Sequence, residues 1–146
     1  MSEHLRNLRD ALGHFATGVA IITTKAPDGT PLGLTVNSFA SVSLDPPLVL
    51  WSLDRTSDRF ATFMQAEHYA VNILGDANQT LSHRLSRKGE FTLEGEPLRT
   101  GAHGAPILTC AIASFECRIE QRHKGGDHVI FVGRVLDYSH TSHGRP

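Results

Sequence analysis

The chain has 146 residues, the usual size of one domain, and at that length folding buries roughly 68–70% of the unfolded surface, so a core stands without staples. Hydrophobic residues make up 40% and charged residues 20%, a globular composition rather than a disordered one. The formal net charge of -1 gives no sign of a general phosphate-backbone binder, which would gather a basic surplus on one face.

In chain order, "EHLRNLRDALGHF" sets Leu5, Leu8, Leu12 and Phe15 at helical spacing. That predicts an amphipathic helix begun by Ser2 as N-cap and closed near Gly13. "GVAIITT" is β-branched and apolar on both alternations, a strand covered on both faces. "APDGTP" is a turn. "LGLTVNSFASVS" reads as a second strand that loses regularity, and "PLVLWSL" as a third. "TSDRFATFMQA" predicts a short helix capped by Thr56 or Ser57, with Phe60, Phe63 and Met64 as its apolar stripe. "HYAVNIL" is a strand, and "DANQTLSHRLSR" a helix with Asp76 as its cap. Residues 88–108, rich in Gly and Pro, suit a long loop or short irregular strands.

"CAIASFECRIEQR", "HKGGD" and "HVIFVGRVLDYS" form the clearest hairpin. Alternation there puts Ala111, Ala113, Phe115, Cys117 and Ile119 on one face and Ser114, Glu116, Arg118 and Glu120 on the other. If Cys110 and Cys117 share that strand they lie about 23 Å apart along it, too far for a disulfide. With no signal-peptide pattern, two unbridged cysteines suit a reducing, cytoplasmic setting. No apolar run approaches the ~20 residues of a membrane span. Six or more strands and three helices without regular alternation indicate an α+β, mainly antiparallel protein closed around a barrel, with residues 1–146 as a single domain.

No G-x-G-x-x-G follows a strand, and neither G-x-x-x-x-G-K-[ST] nor G-x-S-x-G is present. The spacing of the nine histidines gives no metal set, although His123 and His128 flank a tight turn where they could approach each other. The informative stretch is "GLTVNSFASVSLDPPLVL", residues 33–50. It crowds Thr35, Asn37, Ser38, Ser41 and Ser43 ahead of two prolines. A planar heterocycle with carbonyls and ring nitrogens needs donors and acceptors around its edge. Backbone that has left regular pairing offers them, and small side chains let it come close. The alternative is a Ser/Thr-rich edge strand followed by a Pro-Pro loop.

"VNSFASVSLDPPLVLWSL" resembles the short-chain flavin reductases, whose flavin-reductase-like domain is the FMN-binding split barrel and which supply reduced flavin to two-component monooxygenases. "LGHFATGVAIITT", "HYAVNIL" and "GGDHVIFVGRV" carry the resemblance over nearly the whole chain. It implies a split β-barrel with a few flanking helices, FMN or FAD as a dissociable flavin, and NADH or NADPH as hydride donor. It also implies a homodimer and a partner monooxygenase that receives the reduced flavin. Carried over by residue, Thr35, Val36, Asn37 and Ser38 would meet the isoalloxazine edge, and Ser41, Val42 and Ser43 would line its far side. Arg55, Thr56 and Ser57 would take the flavin phosphate, which suits the opening of a helix, although Ser57 could serve only as a cap. Arg87 and Lys88 would lie near that phosphate or form a solvated pair. His128 would stand beside the nicotinamide, where an imidazole can change charge near neutral pH. Similar proteins continue past "HTSHGRP" with another short strand and an aromatic-containing tail; either that tail lies outside this sequence or the nicotinamide site is built without it. The competing functions are a flavin-binding or electron-carrying flavoprotein without turnover, and a ligand-free interaction domain.

Overall fold

The structure is a computed structural model and describes residues 2–141; the expectation about the end of the chain falls on residues 142–146 and lies outside them. Among the described residues there are three α-helices and nine strands. α1 (Glu3–Leu12) begins where the Ser2 hydroxyl accepts the Leu5 N–H at 3.2 Å, and it ends at Gly13. It buries none of its residues.

Seven strands form one sheet: β1 (Ala20–Lys25), β2 (Pro31–Val36), β3 (Ala40–Leu44), β4 (Pro47–Asp54), β5 (His68–Ile73), β8 (Ala113–Gly125) and β9 (His128–His140). Their order is β2-β1-β5-β8-β9-β4-β3, and every neighbouring pair is antiparallel. β2 and β3 are therefore the two edges of the sheet. Yet only residues 37–39 join them, and such a link spans at most about 14 Å. The sheet has to curl until its edges stand side by side, which makes it a barrel with a seam that is not closed by a ladder. Across the seam the Ser38 hydroxyl donates to the Ser52 carbonyl at 3.2 Å and accepts the Ser52 N–H at 2.9 Å.

Here the expected single strand "LGLTVNSFASVS" is corrected to two strands with a crossing between them. The alternation of "SFASVS" looked like a continuation because side-chain pattern carries no information about which strand each half pairs with.

Trp51 fills the centre of the barrel, stacked on Phe131 at 4.8 Å and edge-on to Phe63 at 5.0 Å and Tyr69 at 5.8 Å. Ile22, Leu34, Val71 and Cys117 complete this core. On the outer face Ile21, Leu74, Leu81, Leu85 and Leu93 form a second cluster, so β1 is covered on both faces, as its composition predicts. Burial raises the Cys117 thiol to about 12, which keeps it protonated and inert. Cys110 precedes β8 rather than sharing it, a correction to the placement on one strand; both cysteines are free.

Both internal helices are shorter than expected. α2 (Phe60–Gln65) has Arg59 at its N-cap position with no side-chain cap, so neither Thr56 nor Ser57 caps it. α3 (Gln79–Arg84) follows a 3-10 turn over Asp76–Asn78 that also lacks a side-chain cap, so Asp76 does not cap a helix. Residues 88–108 contain β6 (Leu98–Thr100) and β7 (Pro106–Leu108), paired with each other. This segment covers the face of β8 that carries Ser114 and Glu116. Ser114 and Glu116 are consequently buried, and the Glu116 carboxylate accepts the N–H groups of His103 at 3.0 Å and Ala105 at 2.9 Å.

Candidate active site

A cleft of about 490 Å³ opens where the barrel seam meets α3, within the usual size of small-molecule sites. β2 and the 37–39 link supply Leu34, Thr35, Val36, Asn37 and Ser38 to one wall. β4 supplies Ser52, Leu53 and Asp54, and α3 with the turn after it supplies Ser82, His83 and Ser86. His128 opens β9 directly opposite Asp54 in the ladder.

The polar groups of the wall divide into those that build it and those left over. Thr35 builds it: its N–H donates to the Leu85 carbonyl at 3.2 Å and its hydroxyl to the Ser82 carbonyl at 2.7 Å, which ties α3 to β2. The Ser38 hydroxyl closes the seam through Ser52. Asn37 stands between them with no hydrogen bond from its backbone N–H or its side chain to any described residue. An amide unpaired on the lip of a cleft is a ready donor and acceptor for a ligand edge.

His128 Nδ1 lies 2.8 Å from Asp127 Oδ1. An ionised carboxylate only accepts, so Nδ1 carries the proton and Nε2 is left to accept when the ring is neutral and donate when it is charged. Beside it, the Asp54 carboxyl is held below its ordinary value, chiefly by the Thr56 N–H and hydroxyl at 2.8 Å each and in smaller part by His128.

Next to the cleft, and sharing Leu34, Asp54, Ser57 and Ser86 with it, lies a smaller hollow of about 270 Å³ that also holds Thr56, Arg59 and Lys88. The loop carrying Lys88 is clamped from α2's side. Arg59 donates to the carbonyls of Arg87 at 2.8 Å and Glu90 at 2.7 Å and stacks over Phe91. Asp58 accepts the Gly89 N–H at 2.5 Å and pairs with Arg59 at 3.3 Å. The Arg59 Nε is buried without a partner.

The backbone here corrects the helix-terminus argument for an anion. The N–H groups of Thr56, Ser57, Arg59 and Phe60 already donate to Asp54 and Ser57.

A family model described as flavin reductase like domain matches residues 12–146. The chain belongs to this family. It is 45% identical over 94% of its length to the FMN reductase (NADH) SmoA of Agrobacterium fabrum, of which it covers 78%. It is 40% identical over 92% of its length to the reductase component of the flavin-dependent trigonelline monooxygenase of Acinetobacter baylyi. The chain spans only 44% of that relative, less than half of it. Its structure matches the NADH:FAD oxidoreductase SgcE6 of Streptomyces globisporus, solved with NAD and FAD fragments, at a TM-score of 0.86 and 31% identity over 95% of this chain and 83% of that one. The fold is therefore that of the flavin reductase split barrel.

Of the residues assigned by resemblance, Thr35, Val36, Asn37, Ser38, Ser57 and His128 line the cleft, and Thr56 and Lys88 join Ser57 at the adjoining hollow. Ser41, Val42 and Ser43 lie on β3 outside the lining of either. Arg55 is turned to the β8–β9 turn, with Nε 3.2 Å from the Gly126 carbonyl, and the exposed Arg87 pairs with Glu90 at 3.9 Å. Lining residues not anticipated include Asp54, Ser82, His83 and Ser86. The 82/86 pair was visible in "LSHRLS" as two hydroxyls four residues apart, Ser82 on α3 and Ser86 in the turn after it.

Proposed function

We propose that the chain is an NAD(P)H:flavin oxidoreductase that takes FMN or FAD into the cleft, accepts a hydride from NADH or NADPH, and releases reduced flavin to a partner monooxygenase. The observation that carries this is an unpaired Asn37 amide on a barrel seam, lining the same flavin-sized cleft as His128. The names of the relatives point the same way, since they are reductases of flavin or reductase components of flavin-dependent monooxygenases.

Hydride transfer is the chemistry that bound nicotinamide and flavin supply between themselves. The work of the chain is to hold the two rings face to face within reach. Asn37 offers one donor and one acceptor to the rim of the flavin. Leu34, Val36 and Leu53 give the ring plane an apolar bed and exclude water from it. Lys88, Thr56 and Ser57 supply cation and hydroxyls for a phosphate at the adjoining hollow. His128, fixed through Nδ1 by Asp127, presents Nε2 to the carboxamide side of the nicotinamide. The net reaction consumes one NAD(P)H, one proton and one oxidised flavin, and yields NAD(P)+ and reduced flavin.

The working unit is a homodimer. Leu5, Leu8, Leu12 and Phe15 are 49–79% exposed, an apolar stripe on α1 that calls for a covering surface. α1 leads straight into Thr17, Gly18 and Val19 at the rim of the cavities, so a second copy seated on α1 would also wall the site. No described helix is long and apolar enough to cross a membrane, and two unbridged thiols suit the cytoplasm.

The test mixes the purified chain with each nicotinamide and each flavin and follows the reduced-nicotinamide absorbance. Loss of that band only when free flavin is present is the expected result. A protein that retains flavin yet consumes no NADH or NADPH would instead be a carrier without turnover.

A further inference from the structure

A second cavity of about 460 Å³ adjoins the cleft and shares Val19, Ser82 and His83 with it. Its chemistry differs. Asp76 is the only carboxylate on its wall, with no lysine or arginine there. Neither Asp76 nor the side chains of Asn78 and Gln79 has a hydrogen-bond or ion-pair partner among the described residues. Leu74 and Val19 give it an apolar side.

A lone carboxylate repels phosphate and accepts hydroxyl protons, as acidic side chains do from a ribose diol. A carboxamide can meet the edge of adenine in both directions, accepting from the exocyclic amine and donating to the ring nitrogen beside it. An apolar wall suits the face of a purine. A cation for a phosphate, Lys88, lies at the other hollow, beside Asp54 and Asp58.

We propose that this second cavity is an adenosine subsite. Asp76 takes the ribose diol, Gln79 with Asn78 reads the adenine edge, and His83 marks the passage from the cleft. The inference rests on the flavin cleft proposed above and extends it to the other half of a dinucleotide. Two ligands carry that half, FAD and the nicotinamide dinucleotide. If the nicotinamide dinucleotide is the occupant, its ribose has to be unphosphorylated, and NADP+ with its 2′-phosphate is disfavoured beside Asp76.

The experiment measures dissociation constants of FMN, FAD, NAD+ and NADP+ by calorimetry on the wild-type chain, Asp76→Ala and Gln79→Ala, with thermal melts to verify folding. Both side chains are exposed at their positions, so both variants should fold. The expected result is unchanged FMN binding and a weakening of about fivefold or more, the scale of one hydrogen bond to a charged group tempered by solvent, for one dinucleotide. Loss confined to FAD identifies the flavin's adenosine as the occupant. Loss confined to NAD+, with the NAD+/NADP+ ratio falling in Asp76→Ala, identifies the nicotinamide dinucleotide. FAD and NAD+ binding both variants as tightly as wild type overturns the subsite, and so does an equal loss for all ligands including FMN. A wild-type chain that fails to bind FMN removes the flavin reading itself, a different failure from either of these.

Discussion

Tyr69 stands inside the barrel because residue 133 has no side chain: a Cβ built on Gly133 collides with the Tyr69 hydroxyl. That hydroxyl is buried with no partner, so it has no hydrogen bond to guide it elsewhere. Gly133→Ala should therefore destabilise the fold by about 1–3 kcal/mol, the scale of overpacking a filled core. Thermal melts should show it, and Tyr69→Phe in the same chain should restore part of the loss. A melt unchanged in Gly133→Ala would mean that the ring simply moves aside. Asn37→Leu tests the other kind of position. It removes an amide that no described residue uses, so stability should hold while FMN affinity drops about tenfold, as for a lost ligand hydrogen bond; equal affinity would take Asn37 out of the site. His128→Ala should raise the KM for NADH more than the dissociation constant of FMN, and equal losses would point to a structural role. These residues differ in how far they can be foreseen. Asn37 was conspicuous as an amide in a chain leaving its strand. The building roles of Thr35 and Ser38 were hidden, because their partners, Ser82 and Ser52, lie 47 and 14 residues away. The burial of Glu116 was hidden for the same reason: backbone N–H groups of another segment receive its charge, and no alternation records them.

At the scale of elements, the loop from Ser86 to Phe91 is held by two adjacent residues, Asp58 and Arg59. Arg59 is 3% exposed, and its removal would leave two carbonyls and Asp58 without their cation. Arg59→Ala should cost about 1–3 kcal/mol and free the loop that carries Lys88. The distinguishing measurement compares FMN with riboflavin, which lacks the phosphate. FMN should weaken severalfold while riboflavin stays as it was; an equal change in both would mean that the clamp supports the whole cleft rather than the anion hollow. The long hairpin was the most legible element because two β-rich runs flank a Gly-Gly-Asp turn, although its register shifts at Glu116/Cys117 and at Ile119/Gln121. The internal helices were overestimated: "TSD" and "DAN" carry capping residues, but the first is part of a side-chain-bonded turn and the second caps nothing. Asp54 accepts from Thr56, and the Ser57 hydroxyl from Arg59.

For the whole molecule, the decisive feature is the three-residue link between opposite edges of a seven-stranded sheet. It forces curvature, leaves a seam, and places an unpaired amide on it. Such a barrel gives a flavin one wall and part of a second, since the cleft opens widely to solvent. The second copy proposed above would supply the remaining cover through α1. Its Leu5, Leu8 and Leu12 follow helical spacing as cleanly as any core helix, yet none of them is buried. An amphipathic pattern without a core beneath it is a demand for a partner. The same stripe on two copies can pair across a two-fold axis, because such an interface is self-complementary. The wild-type chain should then sediment at twice its 15.9 kDa mass, and Leu8→Glu with Leu12→Glu should bring it to the single mass. Those two side chains contact no core cluster, so each subunit should keep its fold and its near-ultraviolet spectrum. If the second copy walls the site, the monomeric variant should also bind FMN less tightly, in step with dissociation. A wild-type chain that sediments as a monomer at micromolar concentration would refute the pairing. A variant that dissociates with FMN affinity intact would separate the interface from the site.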